Sequence, residues 1–385
     1  MSSPRIAVFG AGAFGVWTAL ELLRRGAVVT LVDAWGAGNA RASSGGRTRV
    51  IRATYGSHVV YTRMAVRALK RWQEYDAQWK AGLLRQTGAL WLLGADTSFG
   101  DASARTLADE SIALDQIGLP DARRRFPQIA FDGISRVLFE PDAGYLFASR
   151  ACAHVADRVV AEGGSYRQAA AASPAVIDQR GVGLADGSSL DADFFVFACG
   201  PWLAALFPDI VGNLVTPTRQ EVYYFGVPPG EARFASPRLP VWLECGERFT
   251  YGMPADDGQG FKFADDTPGA VMDPTSDERR PTTNGIERAR QYLAGRFPAL
   301  RGAPLVGSEV CQYESTPDSH FLIDRHPHDS RVWIAGGGSG HGFKMGPVIG
   351  EILAALVLGE STPDPQFTLE RFKTPPAEGW APKWS

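Results

Sequence analysis

Ile6-Ala7-Val8-Phe9-Gly10-Ala11-Gly12-Ala13-Phe14-Gly15 is the stretch whose reading decides the fold. Its four apolar residues predict a short buried strand that runs into a glycine turn. Val16, Ala19, Leu20, Leu22 and Leu23 then recur at helical spacing until Gly26 stops the helix. Val28-Val29-Thr30-Leu31-Val32 predicts a second buried strand, closed by Asp33. Strand, glycine turn, helix, strand and acid in this order make a dinucleotide-binding unit. Gly10 permits the tight turn, Gly12 lets backbone N–H groups approach a pyrophosphate, and Gly15 lets the helix lie close on the strand. The helix N-terminus favours the negative phosphates. Asp33 can accept from ribose hydroxyls and repels a 2′-phosphate. That disfavours NADP and leaves NAD and FAD open.

Outward from this unit, residues 40–56 (Ala40 and then RASSGGRTRVIRATYG) form a polar loop carrying Arg47, Arg49 and Arg52. Helical spacing predicts an amphipathic helix over 59–80, then a strand at Leu90–Leu93 and a helix over 108–126. The Arg123–Arg125 run is expected at a solvated helix end. A helix over 149–162 precedes strands near 175–178 and 194–198, the latter running into Cys199-Gly200. This return to parallel-sheet character implies that the first domain is discontinuous. Residues 219–271 alternate and are punctuated by prolines and glycines, which predicts antiparallel sheet. A helix over 285–297 follows. Strand Val332–Ala335 then enters a second glycine turn, Gly336 to Gly342, and a last helix with Val348, Ile349, Ile352, Leu353 and Leu356 on its buried side. Two glycine turns, each between strand and helix, suggest two contacts with one elongated cofactor.

Composition narrows the class. The 385 residues are 45% hydrophobic and 21% charged, with a net charge of −3. This suits a globular chain of two or three domains and offers no basic excess for nucleic acid or an anionic membrane. Four cysteines without a CxxC pair exclude a disulfide scaffold and a zinc-finger array, and fit a reducing cytoplasm. No His–carboxylate spacing suggests a metal site. The glycines at 10, 12 and 15 and the charges at Glu21, Arg24 and Arg25 argue against reading the first residues as a signal peptide.

The motifs GAGAFG (10–15), TRVIRATYG (48–56), EPDAGYLF (140–147), FACGPW (197–202), YGMPADDGQGFKFADD (251–266), CQYESTPDSHFLID (311–324) and GSGHGFKMGP (338–347) stand in one order along almost the whole chain. In this they resemble the D-amino-acid-oxidase superfamily of flavoproteins, and within it the branch of monomeric sarcosine oxidase and N-methyltryptophan oxidase. The resemblance implies an α/β fold: a discontinuous Rossmann-like FAD-binding domain (1–83, 148–217 and 318–385) and an α+β substrate domain with a mainly antiparallel sheet (84–147 and 218–317). It implies FAD, joined covalently to Cys311; Cys152, Cys199 and Cys245 match no attachment motif. Around the cofactor it puts Ala13 and Phe14 beside Gly10, Gly12 and Gly15, with Asp33 beyond. It adds Arg41, Ser43, Ser44 and Thr48 from the loop, and Cys199, Gly200 and Trp202 after the strand. From the second turn it adds Gly338, Gly340, His341, Gly342, Phe343 and Lys344.

The resemblance also implies that Arg52 and Lys344 hold the substrate carboxylate, with Tyr313 in the pocket. Arg49 would lie beside the flavin, and Lys262 would stabilise negative charge on O2. His341 is expected to orient backbone; His326 and His328 are expected in a surface loop. The sarcosine oxidases it resembles have histidines where this chain has Gly45 and Asp266. The first change is expected to remove bulk from the pocket and the second to put a carboxylate near its amine end. Both point to a substrate other than sarcosine, larger or with an extra positive charge. The implied activity is FAD-dependent oxidation of a small, secondary or N-methylated amino acid to an imine, with O2 reduced to H2O2. The expected setting is a cytoplasmic monomer without nucleic-acid or membrane partners. A dehydrogenase of the same fold passing electrons elsewhere, an oxidase of primary amino acids, an NAD enzyme and a non-catalytic flavin binder are the rival readings.

Overall fold

The computed structural model describes residues 3–256 and 258–373; Asp257 of the quoted 251–266 motif and the last twelve residues of the expected 318–385 segment lie outside them. The N-terminal unit forms as its pattern predicts. Strand β1 (Arg5–Phe9) leads through the glycine turn into helix α1 (Ala13–Arg24), and β2 (Val28–Asp33) ends at the acid. Near-continuous apolar strands need cover on both faces, and that is where they lie. A six-stranded sheet runs Leu322–Arg325, Val332–Gly336, Phe194–Phe197, β1, β2, Ser165–Gln168. All neighbours are parallel except the first pair. Its strands come from four separated stretches of chain, so the glycine turns of residues 10–15 and 336–342 emerge at the same strand ends.

α1 packs against the last helix (Gly346–Val357) at very short range. A Cβ on Gly350 would lie 2.7 Å from the Trp17 carbonyl, and one on Gly346 would lie 2.5 Å from the Trp17 ring. Trp17 in turn meets Trp72 edge-on at 5.0 Å, from helix Val59–Trp79.

The second large sheet has eight strands in the order Leu305–Ser315, Thr216–Phe225, Phe261–Asp265, Phe249–Met253, Val241–Cys245, Ala89–Leu93, Arg136–Glu140, Asp115–Ile117. It is antiparallel except for one parallel pair, Val241–Cys245 with Ala89–Leu93. Helix Thr283–Arg296, capped by Thr282, supplies Ala289 and Leu293 to the core on this sheet. A small sheet pairs Gly144–Phe147 with both Thr48–Ile51 and Leu84–Gln86. It thereby couples the arginine-bearing loop to the larger sheet's segment of chain.

The helix predicted over 108–126 is corrected. A helix runs over Ser98–Asp109, a strand over Asp115–Ile117 and a separate helix over Leu119–Arg125. Ser111 takes a left-handed φ of 58°, which ends the first helix, and Pro120 fits only in the first turn of the next. Arg123, Arg124 and Arg125 do lie exposed in a last helical turn. No helix among the described residues is long and apolar enough to cross a membrane.

Candidate functional site

The glycine turns wall one side of a cavity of about 470 Å³. Gly10 has φ +100°, and a Cβ there would lie 2.3 Å from the Ala198 carbonyl oxygen. Its N–H donates to Val32 O at 2.7 Å. A Cβ on Gly15 would lie 1.7 Å from Gly10 O, so Gly15 serves helix packing and stands behind the cavity wall. Ala13 N–H donates to Ser44 Oγ at 2.9 Å. Gly12, the residue before α1, offers no side-chain cap, and the helix's first turn has no acid. The positive helix end therefore faces the cavity without a carboxylate of its own.

Asp33 also lines the cavity and accepts from the N–H groups of Ala11 (2.7 Å), Trp35 (2.9 Å) and Gly36 (2.8 Å), which fixes the first turn to the following loop. Ser43, Cys199, Gly200 and Trp202 line it too. So do Gly338, Gly340, His341, Gly342 and Phe343 from the second turn. Trp202 lies 4.7 Å from Trp35, and its indole N–H donates to Thr275. Arg41 stays outside the lining and donates to Thr275 O from the same rim. A helix end free of acidic side chains in its first turn, glycine turns at two strand ends and an acid at a strand end fit an elongated dinucleotide such as FAD.

The other end of the same cavity is built from charged side chains. Arg52 is 4% exposed and donates to Thr54 O; its guanidinium stacks over Tyr55 (4.5 Å) and Trp91 (5.1 Å). Burial lowers its pKa, with Tyr55, Glu140 and Asp266 opposing. Lys344, 5% exposed, donates to Tyr55 Oη and His341 O, both at 2.9 Å. One tyrosine thus joins the two cations. The loop that presents Arg52 is held by buried Glu140, which accepts from Ala53 N–H (2.5 Å), Thr54 N–H (3.3 Å) and the Thr54 hydroxyl. Burial pushes the Glu140 carboxyl up, against the pull of Thr54, Ala53 and Arg52.

His341 Nε2 faces Ser319 O at 3.0 Å, so that nitrogen carries a proton and Nδ1 accepts from the Tyr55 hydroxyl at 3.4 Å. Asp266 is 6% exposed, lines the cavity, and accepts from Tyr313 Oη at 2.5 Å.

Arg49, Lys262, Thr48 and Cys311 form one connected cluster at this end. Arg49 donates to Ser43 O (2.8 Å), Gly45 O (2.7 Å), Thr48 O (2.9 Å) and Cys311 Sγ (3.1 Å). Burial works to lower the Arg49 pKa, but the facing Cys311, Tyr251, Tyr313 and Glu309 outweigh it and the net direction is up. Lys262, 1% exposed, donates to Thr48 O (2.8 Å) and Thr48 Oγ1 (3.2 Å). Burial, then the Arg49 charge, brings its pKa down to about 7. Arg49 lines the main cavity. Lys262 and Thr48 border instead a separate small cavity, and Cys311 stands outside both linings, its sulfur 3.6 Å from Ser43 O.

Gly45 corrects an expectation. A Cβ there would lie 2.3 Å from Asn39 O and 3.0 Å from Ala42 O, so the position faces its own loop and its glycine removes no bulk from the cavity. His326 caps a turn, its Nδ1 accepting from His328 and Asp329 N–H. Sequence reasoning did not single out Tyr55, Glu140, Tyr251 or Glu314. Glu314 lines the cavity and accepts from Ser43 Oγ at 2.5 Å, with burial raising its pKa. All four lie inside motifs quoted for the resemblance: Tyr55 three after Arg52, Tyr251 opening the Lys262 motif, and Glu314 after Tyr313. Glu140 opens EPDAGYLF.

Comparison with known proteins agrees with this construction. The family model described as "FAD dependent oxidoreductase" matches residues 5–356. Monomeric sarcosine oxidase of Bacillus sp. (strain B-0618) is 28% identical over 365 residues, covering 93% of each chain. N-methyl-L-tryptophan oxidase of Salmonella agona is 27% identical, covering 95% of this chain and 97% of the relative. The crystal structure of the deglycating enzyme fructosamine oxidase from Aspergillus fumigatus superposes with a TM-score of 0.82 at 22% identity, covering 96% of this chain and 90% of that one, and so shares the fold. The match spans both sheets and both glycine turns, and the chain belongs to the DAO family of FAD-dependent oxidoreductases.

Proposed function

We propose that this oxidoreductase is an amine oxidase that converts a small amino acid, secondary or N-methylated, to its imine and reduces O2 to H2O2. The observation that carries the reading is the pair of buried cations, Arg52 and Lys344, joined through Tyr55 in the cavity that also holds the glycine cradle. A planar guanidinium and a point-charge ammonium suit a carboxylate. Sarcosine and N-methyltryptophan, named for the relatives above, both carry one. We assign 1–83, 148–217 and 318–385 to the flavin domain and 84–147 and 218–317 to the substrate domain, in keeping with the two large sheets.

FAD, when bound, supplies the oxidation of the C–N bond and the reduction of O2. The chain's own residues supply position and field. Arg52 and Lys344 fix the carboxylate and thereby the carbon bearing the labile hydrogen, which is catalysis by orientation. Tyr55 and His341 hold the Lys344 ammonium in place. The substrate amine must shed its proton to solvent before oxidation, because a cation resists losing electron density. Lys262, dry and within reach of Arg49's field, provides a positive charge where O2 becomes negative. Cys311, its sulfur beside Arg49 and Ser43, is the residue we assign to covalent attachment. A cytoplasmic monomer is in keeping with the unpaired cysteines and with relatives named as monomeric.

The test is an oxygen electrode with a peroxide assay. One mole of H2O2 per mole of O2 consumed, with an N-methyl amino acid as donor, supports the reading. Turnover with an artificial electron acceptor and none with O2 refutes the oxidase half of it.

A further inference from the structure

We infer that Arg371 is a positioning residue for the substrate-carboxylate site, acting through Ser319 and His341 on Lys344. The inference rests on the amine-oxidase reading, which puts the substrate carboxylate at Arg52 and Lys344. Two short helical turns, Pro365–Phe367 and Leu369–Lys373, lie against the loop of residues 316–321. Phe367 anchors them, 3% exposed and 5.9 Å from the Phe321 ring. From there Arg371 reaches both sides of one residue. Its Nε donates to Asp318 Oδ2 at 2.7 Å, and its Nη2 donates to Asp318 Oδ1 and to His320 O, both at 3.2 Å. Ser319, between them, has a left-handed φ of 55°, and its carbonyl accepts from His341 Nε2 at 3.0 Å. His341 in turn fixes the Lys344 ammonium by two routes. Its own carbonyl accepts from Lys344 Nζ at 2.9 Å, and its Nδ1 accepts from the Tyr55 hydroxyl that takes the other Lys344 bond.

The Arg371 and Asp318 side chains are 11% and 13% exposed. Burial opposes the Asp318 carboxylate, but Arg371 outweighs it and the net direction of the pKa is down. A charge pair withdrawn from water gains little net stability over apolar side chains of the same shape. What a guanidinium adds is a rigid fork that holds its acceptors in one geometry. Here the fork brackets a residue in a disfavoured backbone conformation, whose carbonyl must point at His341. Thr316 holds the same loop from within, donating to His320 O at 2.6 Å and accepting from Ser319 N–H at 3.1 Å. Loss of Arg371 should therefore tilt the Ser319 carbonyl and leave the loop folded.

The test uses the flavin-loaded enzyme and ligand-induced changes in its visible spectrum under anaerobic conditions. Alkyl carboxylates are titrated against primary amides of the same length, which match them in shape and lack the charge. The wild type should prefer the carboxylate, and that preference should fall at least about threefold in Arg371→Ala and in Asp318→Ala. The double variant should lose no more than either single one, because the pair acts as a unit. Asp324→Ala removes a different tie to the same segment, the bond from Leu369 N–H at 2.8 Å, and should leave the preference intact. Each ratio is read from flavin-loaded molecules alone, so a variant that folds in lower yield still reports. A preference unchanged in Arg371→Ala and Asp318→Ala overturns the inference, as does an equal fall in Asp324→Ala, which would mark general loosening. A wild type that prefers neither ligand refutes the carboxylate site at Arg52 and Lys344, and the inference with it.

Discussion

The two ends of the cavity are made of different material. The end on the parallel sheet is backbone: Gly10, Gly12 and the second turn clear space, and the α1 N-terminus supplies the charge. The end facing the antiparallel sheet is side chain: Arg49, Arg52, Lys344 and Asp266 are buried or half-buried and held by Tyr55, Glu140 and Tyr313. A cradle of backbone is intolerant of any added atom but indifferent to which polar ligand follows the phosphates. A cluster of buried charges tolerates changes of shape and is specific in sign. Breaking the first should cost the fold and the cofactor together. Breaking the second should cost individual steps while the protein stays folded.

The largest effect is expected at the backbone end. Gly10→Ala adds a methyl 2.3 Å from Ala198 O at a φ of +100° and should destabilise by on the order of 3–5 kcal/mol, with flavin content falling in parallel. Thermal melts and the visible absorbance of the purified protein check this. Full flavin occupancy with an unchanged melting temperature would erase the contrast between the ends. At the other end, Arg52→Ala should leave the flavin bound and weaken binding of the substrate carboxylate by about 2–5 kcal/mol, read from anaerobic titration. An unchanged binding constant removes Arg52 from the site.

Lys262→Met should slow reoxidation of the reduced enzyme by about 100-fold and barely alter anaerobic reduction. Stopped-flow traces of the two half-reactions separate these, and equal slowing of both refutes the role. The Lys262 pKa of about 7 adds a sign. The ammonium is present below it, so reoxidation in the wild type should fall as pH rises through that value, and the profile in Lys262→Met should be flat. Between about 7 and the ordinary 10.5 the unfolded chain keeps this proton and the folded one does not, so the residue's contribution to stability rises with pH across that window. Cys311→Ala is expected to change stability least, by about 1 kcal/mol. Its flavin should pass into the supernatant on acid precipitation, whereas wild-type flavin should stay with the pellet.

The same contrast governs what could be read from the chain. The backbone end was legible because its determinants are contiguous: turn, helix, strand and Asp33 occupy residues 6–33, and each glycine answers to a local steric demand. The charged end is assembled across the chain. Glu140 reaches Ala53 over 87 positions and Lys262 reaches Thr48 over 214. No periodicity reports such pairings, and only the resemblance pointed to Arg52, Lys344 and Lys262. Direction was harder still. Gly45 sits in the correct loop and faces away from the cavity, and nothing in its neighbours' identities says so. The break in the 108–126 helix turns on a left-handed serine, a conformation that residue type rarely signals.

The most direct test of the account is the visible spectrum of the purified, air-free protein before and after a panel of amino acids. The panel should span sarcosine, N-methyl amino acids, proline, and primary acids of both hands, with neutral and basic side chains. At least one should bleach the flavin, and readmitted air should restore the colour with release of peroxide. A flavin that dithionite reduces readily and that no member of the panel bleaches would contradict it.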